Sequence, residues 1–206
     1  MNKNDRRYDN LSEAVAFEIA FDFVLYSYDN VGFYDFFREE CPSCRRPIQY
    51  NDFLAPKGNC KKEYAILDIY HFGISKNIRK ELIDNFDITE QDFRPIKNKK
   101  DEIVFYQITP QHRMLPISSV NRIKQLKPCK KCGSIQYRLK AHKNRKGEEY
   151  YYISKEALDD MHDINVTFED FDMFIPEVII SRRVYNYLIS KYPRMKFIPL
   201  FLKNQE

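Results

Sequence analysis

The stretch KPCKKCGSI, residues 127–135, constrains the fold more than any other part of this sequence. Cys129 and Cys132 have CxxC spacing, with Pro128 before them and Gly133 after them. Two thiolates in one tight turn fit the short bonds and the tetrahedral angle of a zinc knuckle. A glycine after the second cysteine permits a positive φ, so that backbone amides can point back at the sulfurs. This half-site raises the question of where the other ligands are.

A second cysteine pair lies in EECPSCRRPI, residues 39–48, which carries Cys41 and Cys44. Arg45 stands where the glycine of a knuckle would be, so this turn either bends less sharply or holds Arg45 in a strained conformation. The 84 residues between Cys44 and Cys129 form a long loop, and closing it removes much entropy from the unfolded chain. We therefore predict a structural zinc site with Cys41, Cys44, Cys129 and Cys132 as ligands.

Two other interpretations of these cysteines stay open. CPSC resembles a glutaredoxin dithiol, but there the first cysteine opens a helix, and here Pro47 would break that helix. Alternatively, the four thiols stay reduced in knuckle-shaped turns without a metal. Cys60 is predicted to be a spare thiol. The four histidines lack ligand spacing and are predicted to be structural or exposed: His71, His112, His142 and His162.

The composition indicates a folded protein with an aromatic-rich core. Of its 206 residues, 43% are hydrophobic, 15% are aromatic and 31% are charged. No apolar run approaches the roughly 20 residues that cross a bilayer, and MNKNDRRYDN at the N-terminus lacks the apolar segment of a secretory signal. We therefore expect a cytoplasmic protein that is not bound to a membrane. The net charge of +4 does not by itself call for nucleic acid.

One phrase occurs three times in the chain: ISKNIRKELIDNF from Ile74, ISKEALDDMHDI from Ile153 and ISRRVYNYLISKY from Ile180. Each copy follows a β-rich run, and its serine stands where an N-cap would start a helix: Ser75, Ser154 and Ser181. We predict an α+β fold of repeated strand–helix–strand units with a zinc-ribbon-like double knuckle. It forms a single domain over residues 1–206, with knuckle elements at 39–50 and 127–137 and C-terminal units at 148–203.

Other segments give weaker signals. Residues 11–28 are predicted to form either a helix entered at Ser12 or a strand with Phe17, Ile19, Phe21 and Phe23 inward, and periodicity does not decide between them. Residues 101–110 are predicted to form a strand stopped by Pro110. KAHKNRKGEE, residues 140–149, is predicted to be an exposed hairpin or loop with Gly147 in its turn.

Charge is unevenly distributed along the chain. RLKAHKNRKG, residues 138–147, concentrates basic residues. The segment from Glu156 to Ile180 has no Lys or Arg and contains eight acids: Glu156, Asp159, Asp160, Asp163, Glu169, Asp170, Asp172 and Glu177. Aromatic residues interleave with these acids, so the segment is a candidate partner-binding surface that contains Asp163, Phe168, Glu169, Asp170, Phe171 and Asp172. A solvated helix face followed by a core strand explains the same pattern equally well.

No motif for catalysis is present in this sequence. It contains no glycine-rich phosphate loop, HExxH zinc motif, nucleophile elbow or GxGxxG fingerprint. Neighbouring acids such as Asp159 and Asp160 would point to different faces of a helix, which is poor geometry for shared acid–base work. A binding function is therefore expected rather than an enzymatic one.

The order of these motifs resembles the double-CxxCG family of bacterial immunity proteins. The likeness is carried by the two CxxC pairs, the second written CxxCG, and by EVIISRRVYNYLISKYPRMKFIPL, residues 177–200. The C-terminal phrase is also similar to related immunity domains that share a strand ending in Ser, a helix and an F-x-P strand. The resemblance covers residues 41–202 and implies neutralisation of a cognate toxin, with the four cysteines as metal ligands.

Two classes of function follow from these observations. The first is a non-enzymatic immunity protein whose acidic segment faces a basic toxin, since opposite potentials speed association. The alternative is a zinc-ribbon protein that binds nucleic acid through the basic residues beside both knuckles, together with the cluster from Arg138 to Lys146.

Overall fold

The computed structural model describes residues 7–20, 37–50, 64–66, 72–97, 100–117, 119–171 and 176–203. Its helices are α1 Lys76–Asn85, α2 Lys155–Asp159 and α3 Arg182–Lys191. Its strands in chain order are β1 Ala14–Ile19, β2 Phe37–Glu40, β3 Pro47–Tyr50, β4 Tyr64–Ile66, β5 Phe72–Ile74, β6 Phe93–Lys97, β7 Ile103–Ile108, β8 Arg122–Gln125, β9 Tyr137–Lys140, β10 His142–Lys143, β11 Glu149–Ile153, β12 Ile164–Val166, β13 Val178–Ser181 and β14 Phe197–Leu202. The predicted α+β class is confirmed.

Most of these strands belong to two larger sheets, one mixed, with β11 parallel to β14, and one antiparallel throughout. Within the described ranges, one sheet has six strands in the order β10-β11-β14-β1-β13-β12, and another has four in the order β4-β5-β7-β6. Two smaller ladders pair β2 with β3 and β8 with β9, each antiparallel.

The chain forms two compact units, each assembled from separate segments. One unit comprises Met1–Ala20, Pro110–Lys127 and Ile135–Glu206, and the other comprises Phe21–Thr109 and Pro128–Ser134. Both cysteine pairs fall in the second unit, although 84 residues separate Cys44 from Cys129. The prediction of a single domain over residues 1–206 stays a prediction.

The first unit is built around the buried strand β1, which lies between β13 and β14 and is antiparallel to both. Ala16 of β1 is fully buried in a core with Ile179 of β13 and Leu200 of β14. Next in the chain, Phe17 stacks on Tyr185 of α3 with ring centroids 3.6 Å apart. Successive residues of β1 therefore contact different parts of the core. In the segment 11–28, left open between helix and strand, the described part forms strand β1 after a short 3-10 turn at Leu11–Glu13. Residues 21–28 lie outside the described residues.

The three predicted capping serines are confirmed. Ser75 Oγ accepts a hydrogen bond from Ile78 N, Ser154 Oγ from Ala157 N and Ser181 Oγ from Val184 N. Each oxygen satisfies a backbone N–H that has no partner within the first turn of its helix. Local chemistry thus fixes where all three helices start.

The connections around these helices are not all alike. Strands β5 and β6 flank β7, and strands β13 and β14 flank β1, each pair antiparallel to the strand between. The first and third copies of the phrase therefore share a split strand–helix–strand topology. In the second copy, β11 lies between β10 and β14, while β12 pairs with β13 at the opposite edge. The prediction of one repeated unit stays a prediction.

Two further local predictions are confirmed. The strand Ile103–Ile108 ends just before Pro110. Strands β10 and β11 form an antiparallel hairpin, and Gly147 adopts a φ of +80° between them. That conformation is costly for any residue with a Cβ atom, so the single glycine of this segment marks its turn.

Candidate metal centre

The two cysteine turns have the same backbone hydrogen bonds. In the first turn, Cys41 N donates to Arg46 O at 2.9 Å, and Arg45 N donates to Cys41 O at 2.8 Å. The second turn repeats both bonds at the same distances, from Cys129 N to Ser134 O and from Gly133 N to Cys129 O. Sequences as different as CPSCRR and CKKCGS therefore fold into one knuckle geometry.

Both turns also need a left-handed residue after the second cysteine. Gly133 has a φ of +71°, and Arg45, at the equivalent place, has a φ of +61°. Of the two alternatives for Arg45, the strained conformation is confirmed. A left-handed conformation costs roughly 1–2 kcal/mol in a residue with a Cβ atom. The first turn thus keeps knuckle geometry at the expense of backbone strain.

The four sulfurs of these turns lie close together. All four Sγ atoms are within 4.8 Å of one another. The Sγ–Sγ distance is 4.0 Å from Cys41 to Cys129 and 3.6 Å from Cys44 to Cys132. Four sulfurs bound tetrahedrally to one zinc ion at about 2.3 Å would be about 3.8 Å apart. The thiols are free rather than paired in disulfides, so the set fits a metal ion, whose identity the structure does not show.

A polar contact between the two turns orients the cluster. Arg46 Nη1 of the first turn donates to Ser134 Oγ of the second. The same hydroxyl oxygen lies 3.2 Å from Cys132 Sγ. Residues beside metal-bound thiolates tune and position them through such contacts. Arg46 and Ser134 are not predicted from the sequence, because nothing in the CxxC pattern marks the residue two places after the second cysteine.

The thiols differ in how readily they ionise. Backbone N–H groups of Cys132 and Lys131 lower the pKa of Cys129 to about 6. Hydrogen bonds from the side chain and backbone of Ser134 lower the pKa of Cys132. Burial raises the pKa of Cys44 to about 12. The second turn thus favours the thiolate form that a metal requires.

The four cysteines differ in solvent exposure. Cys41 is buried, Cys44 and Cys129 are half-buried, and Cys132 is exposed. A metal ion could therefore reach the sulfurs from the side of Cys132. The residues after the first pair form strand β3, Pro47–Tyr50, instead of the helix that a glutaredoxin dithiol requires.

The described histidines do not belong to the cysteine cluster. The His112 ring stacks on His162 with centroids 4.0 Å apart, and His112 Nε2 lies 3.3 Å from Asp160 Oδ2. His142 packs against Tyr150. Among the described residues, the four cysteines form the one group of metal-binding side chains. His71 and Cys60 lie outside the described residues.

The predicted partner-binding residues occupy very different environments. Asp163, Glu169 and Phe171 are buried, with at most 3% of each residue exposed. Asp163 pairs with the Arg183 guanidinium and accepts a hydrogen bond from Ser181 Oγ at 2.6 Å. Reversing that charge would therefore disrupt the start of α3, so buried members of the set cannot serve as rim charges in the folded protein.

The other members of the set lie nearer the surface. Phe168 is 46% exposed, while Asp170 is largely covered and pairs with Arg113 at 3.0 Å. Asp172 lies outside the described residues. The binding role of this segment stays a prediction, and among the described aromatic members Phe168 is the accessible one.

Comparison with known proteins gives no further identification. No family model, curated protein or solved structure matches this chain. The resemblance to double-CxxCG immunity proteins is therefore carried by the cysteine pairs and the C-terminal phrase alone. In the described part of the chain, no helix has the length and apolar character needed to cross a membrane.

The two left-handed positions predict opposite effects of substitution. Gly133→Ala should lower the melting temperature of the metal-loaded protein, because alanine at positive φ costs roughly 1–2 kcal/mol, although nothing lies within 4 Å of the added Cβ. Arg45→Gly should raise it modestly, because relief of that strain exceeds the roughly 0.5–1 kcal/mol entropy cost of glycine. Thermal unfolding of both variants beside wild type measures these shifts. Equal shifts of the same sign would contradict the matched geometry of the two turns.

Proposed function

We propose that this chain is an immunity protein stabilised by one structural zinc ion on Cys41, Cys44, Cys129 and Cys132. The observation that supports the metal site best is the convergence of four free thiols from two matching turns. Tetrahedral sites with four thiolates suit zinc, with iron–sulfur chemistry as the other common use. Four protein ligands close the coordination sphere, which leaves no position to activate water. The ion's role is therefore structural, and the function that we propose is binding rather than catalysis.

Zinc would tie the turn at 128–134 to the segment that carries Cys41 and Cys44. Both belong to the same compact unit, although they are far apart in sequence. Metal-bound thiolates need a reducing compartment, which fits the cytoplasm. The double knuckle is zinc-ribbon-like in this sense, since each turn supplies two ligands to one ion.

Metal removal tests the structural role. Purified protein should contain about one zinc ion per chain, and a strong chelator should lower its melting temperature by more than about 10 °C. Cys129→Ser should reproduce that loss, whereas Ser43→Ala, an exposed position within the first turn, should leave both zinc content and melting temperature unchanged. Metal-free reduced protein with the stability of the wild type would contradict the proposal.

The immunity role is supported by the order of elements in the chain. The phrase that resembles immunity domains forms β13, the Ser181 cap, α3 and β14. The resemblance to those families implies that this chain binds a toxin tightly and does not act by catalysis. Among the described aromatic residues of the acidic segment, Phe168 is the accessible one. A basic toxin face would be drawn to the exposed acids of that segment, Glu156 and Asp159.

Co-expression with a neighbouring gene tests this role. The product of the gene immediately upstream should arrest growth when expressed alone in a bacterial host, and this protein should restore growth and co-purify with it. Phe168→Ala should increase the dissociation rate of that complex if the ring is an interface anchor. Ile103→Ala, another exposed apolar side chain, is the matched control. An upstream product that is harmless, or toxic despite this protein, would count against immunity.

A second candidate function is a zinc-ribbon protein that binds nucleic acid. Lys127, Lys130 and Lys131 beside the second turn are all exposed, and such positions suit phosphate contacts. Strong retention of the intact protein on heparin at moderate salt would favour this candidate. A toxic upstream gene product that this protein neutralises would favour the first.

A further inference from the structure

The ladder of β8 and β9 carries directly opposed like charges. In its antiparallel register, Arg122 faces Lys140 and Lys124 faces Arg138. All four residues are exposed. Like charges directly opposite each other destabilise a β ladder. These two strands therefore hold four cations on one face at a cost to their own pairing.

The opposite face of the ladder fixes this arrangement. Ile123 of β8 and Leu139 of β9 pack against the core cluster that contains Ile117 and Tyr151. A slip of the register by one residue would bury the cations and expose these apolar side chains. The basic face is thus held in place by the core of the first unit.

The four cations lack acidic partners in the part of the chain that the structure describes. Its ion pairs join other residues, and none includes Arg122, Lys124, Arg138 or Lys140. By contrast, Arg7, Lys146 and Arg183 of the same unit each have a carboxylate partner. The basic ladder is therefore available to an external anion.

Aromatic rings continue the basic face beyond the ladder. After Lys140, the chain passes through Ala141, which packs on the core, to His142 at the start of β10. The partly exposed His142 ring stacks on Tyr150 at 5.4 Å between centroids and meets Tyr152 edge-on at 5.0 Å. Lys203 Nζ lies 5.0 Å from the centre of the Tyr152 ring.

Electrostatics connects the ladder with this aromatic cluster. Burial lowers the pKa of His142, and the positive charges of Arg122 and Lys203 lower it further. Arg122 is therefore near enough to influence the ring, and its charge favours the neutral form of His142. A neutral ring beside unpaired cations is suited to stacking rather than to ion pairing.

We propose that the β8–β9 ladder and the His142–Tyr150–Tyr152 cluster form a binding surface for single-stranded nucleic acid. The four cations would contact successive phosphates, and the exposed parts of the three rings would stack on unpaired bases. An exposed base needs a single strand, because the bases of a duplex present only their edges. An acidic protein surface supplies negative charge without a planar group beside each charge, whereas every nucleotide of a single strand carries both a phosphate and a base. A single strand therefore fits both halves of this surface. The inference depends neither on the metal nor on a toxin.

Fluorescence anisotropy of the full zinc-loaded chain tests this surface. The probe is a labelled mixed-sequence oligonucleotide of about 20 nucleotides, as single-stranded DNA or RNA, titrated between about 50 and 200 mM salt. The variant Lys124→Gln/Arg138→Gln removes one opposed pair of cations. It should bind at least about tenfold more weakly. It should also reduce the slope of log K against log salt by about 1.4, because each phosphate that a cation neutralises adds about 0.7 to that slope.

Two further variants keep that result interpretable. Lys76→Gln/Arg194→Gln changes the net charge equally at exposed positions that are not part of the ladder, and its affinity should equal that of the wild type. Tyr152→Leu should weaken binding about tenfold, because a ring that stacks on a base is removed, while leaving the salt slope unchanged. The ladder variant should fold at least as stably as the wild type, because it removes like-charge repulsion.

Several results would overturn the proposal. These are no binding of single strands by the wild-type protein, equal binding of a duplex of the same sequence, or equal losses of affinity in the ladder variant and its charge-matched control. Tight binding of poly-glutamate without binding of oligonucleotide would assign the surface to an acidic protein instead.

Discussion

The convergence of four thiols is the constraint on which the second compact unit depends. Cys41 and Cys44 come from the early part of the chain, whereas Cys129 and Cys132 come from a seven-residue segment, 128–134, that joins this unit from far along the sequence. A metal ion bound to all four sulfurs would close a loop of 84 residues and so reduce the entropy of the unfolded chain. The strain at Arg45 fits this view, because the left-handed residue keeps both sulfurs of the first turn within reach of the second.

Much of the local structure could be predicted from the sequence because short-range chemistry decides it. The capping serines, the turn at Gly147 and the strand before Pro110 each depend on residues within a few positions. The conformation of Arg45 is also a local matter, because the geometry of a CxxC turn allows either a less sharp bend or a strained left-handed residue there. Residues 11–19 were ambiguous because helix and strand patterns overlap there, and the pairing of β1 with β13 and β14 decided the outcome.

Long-range contacts explain what the sequence could not reveal. Asp163 belongs to an acidic run that suggests a surface, yet Ser181 and Arg183 surround it and allow its burial. Ser134 gains its role beside Cys132 only because Arg46 approaches from the other turn. The basic ladder is equally absent from the sequence pattern, since KAHKNRKG suggests a solvated loop until the register places its first residue, Lys140, opposite Arg122. Each of these features requires the three-dimensional pairing of residues far apart in the chain.

X-ray absorption at the zinc edge tests the central claim most directly. The claim is that one zinc ion is bound by Cys41, Cys44, Cys129 and Cys132 and by nothing else. Protein purified under reducing conditions should show a single shell of four sulfur atoms at about 2.3 Å. A shell that contains nitrogen or oxygen, or one with only two sulfurs, would mean that the two turns do not close on a common ion, and would contradict the account.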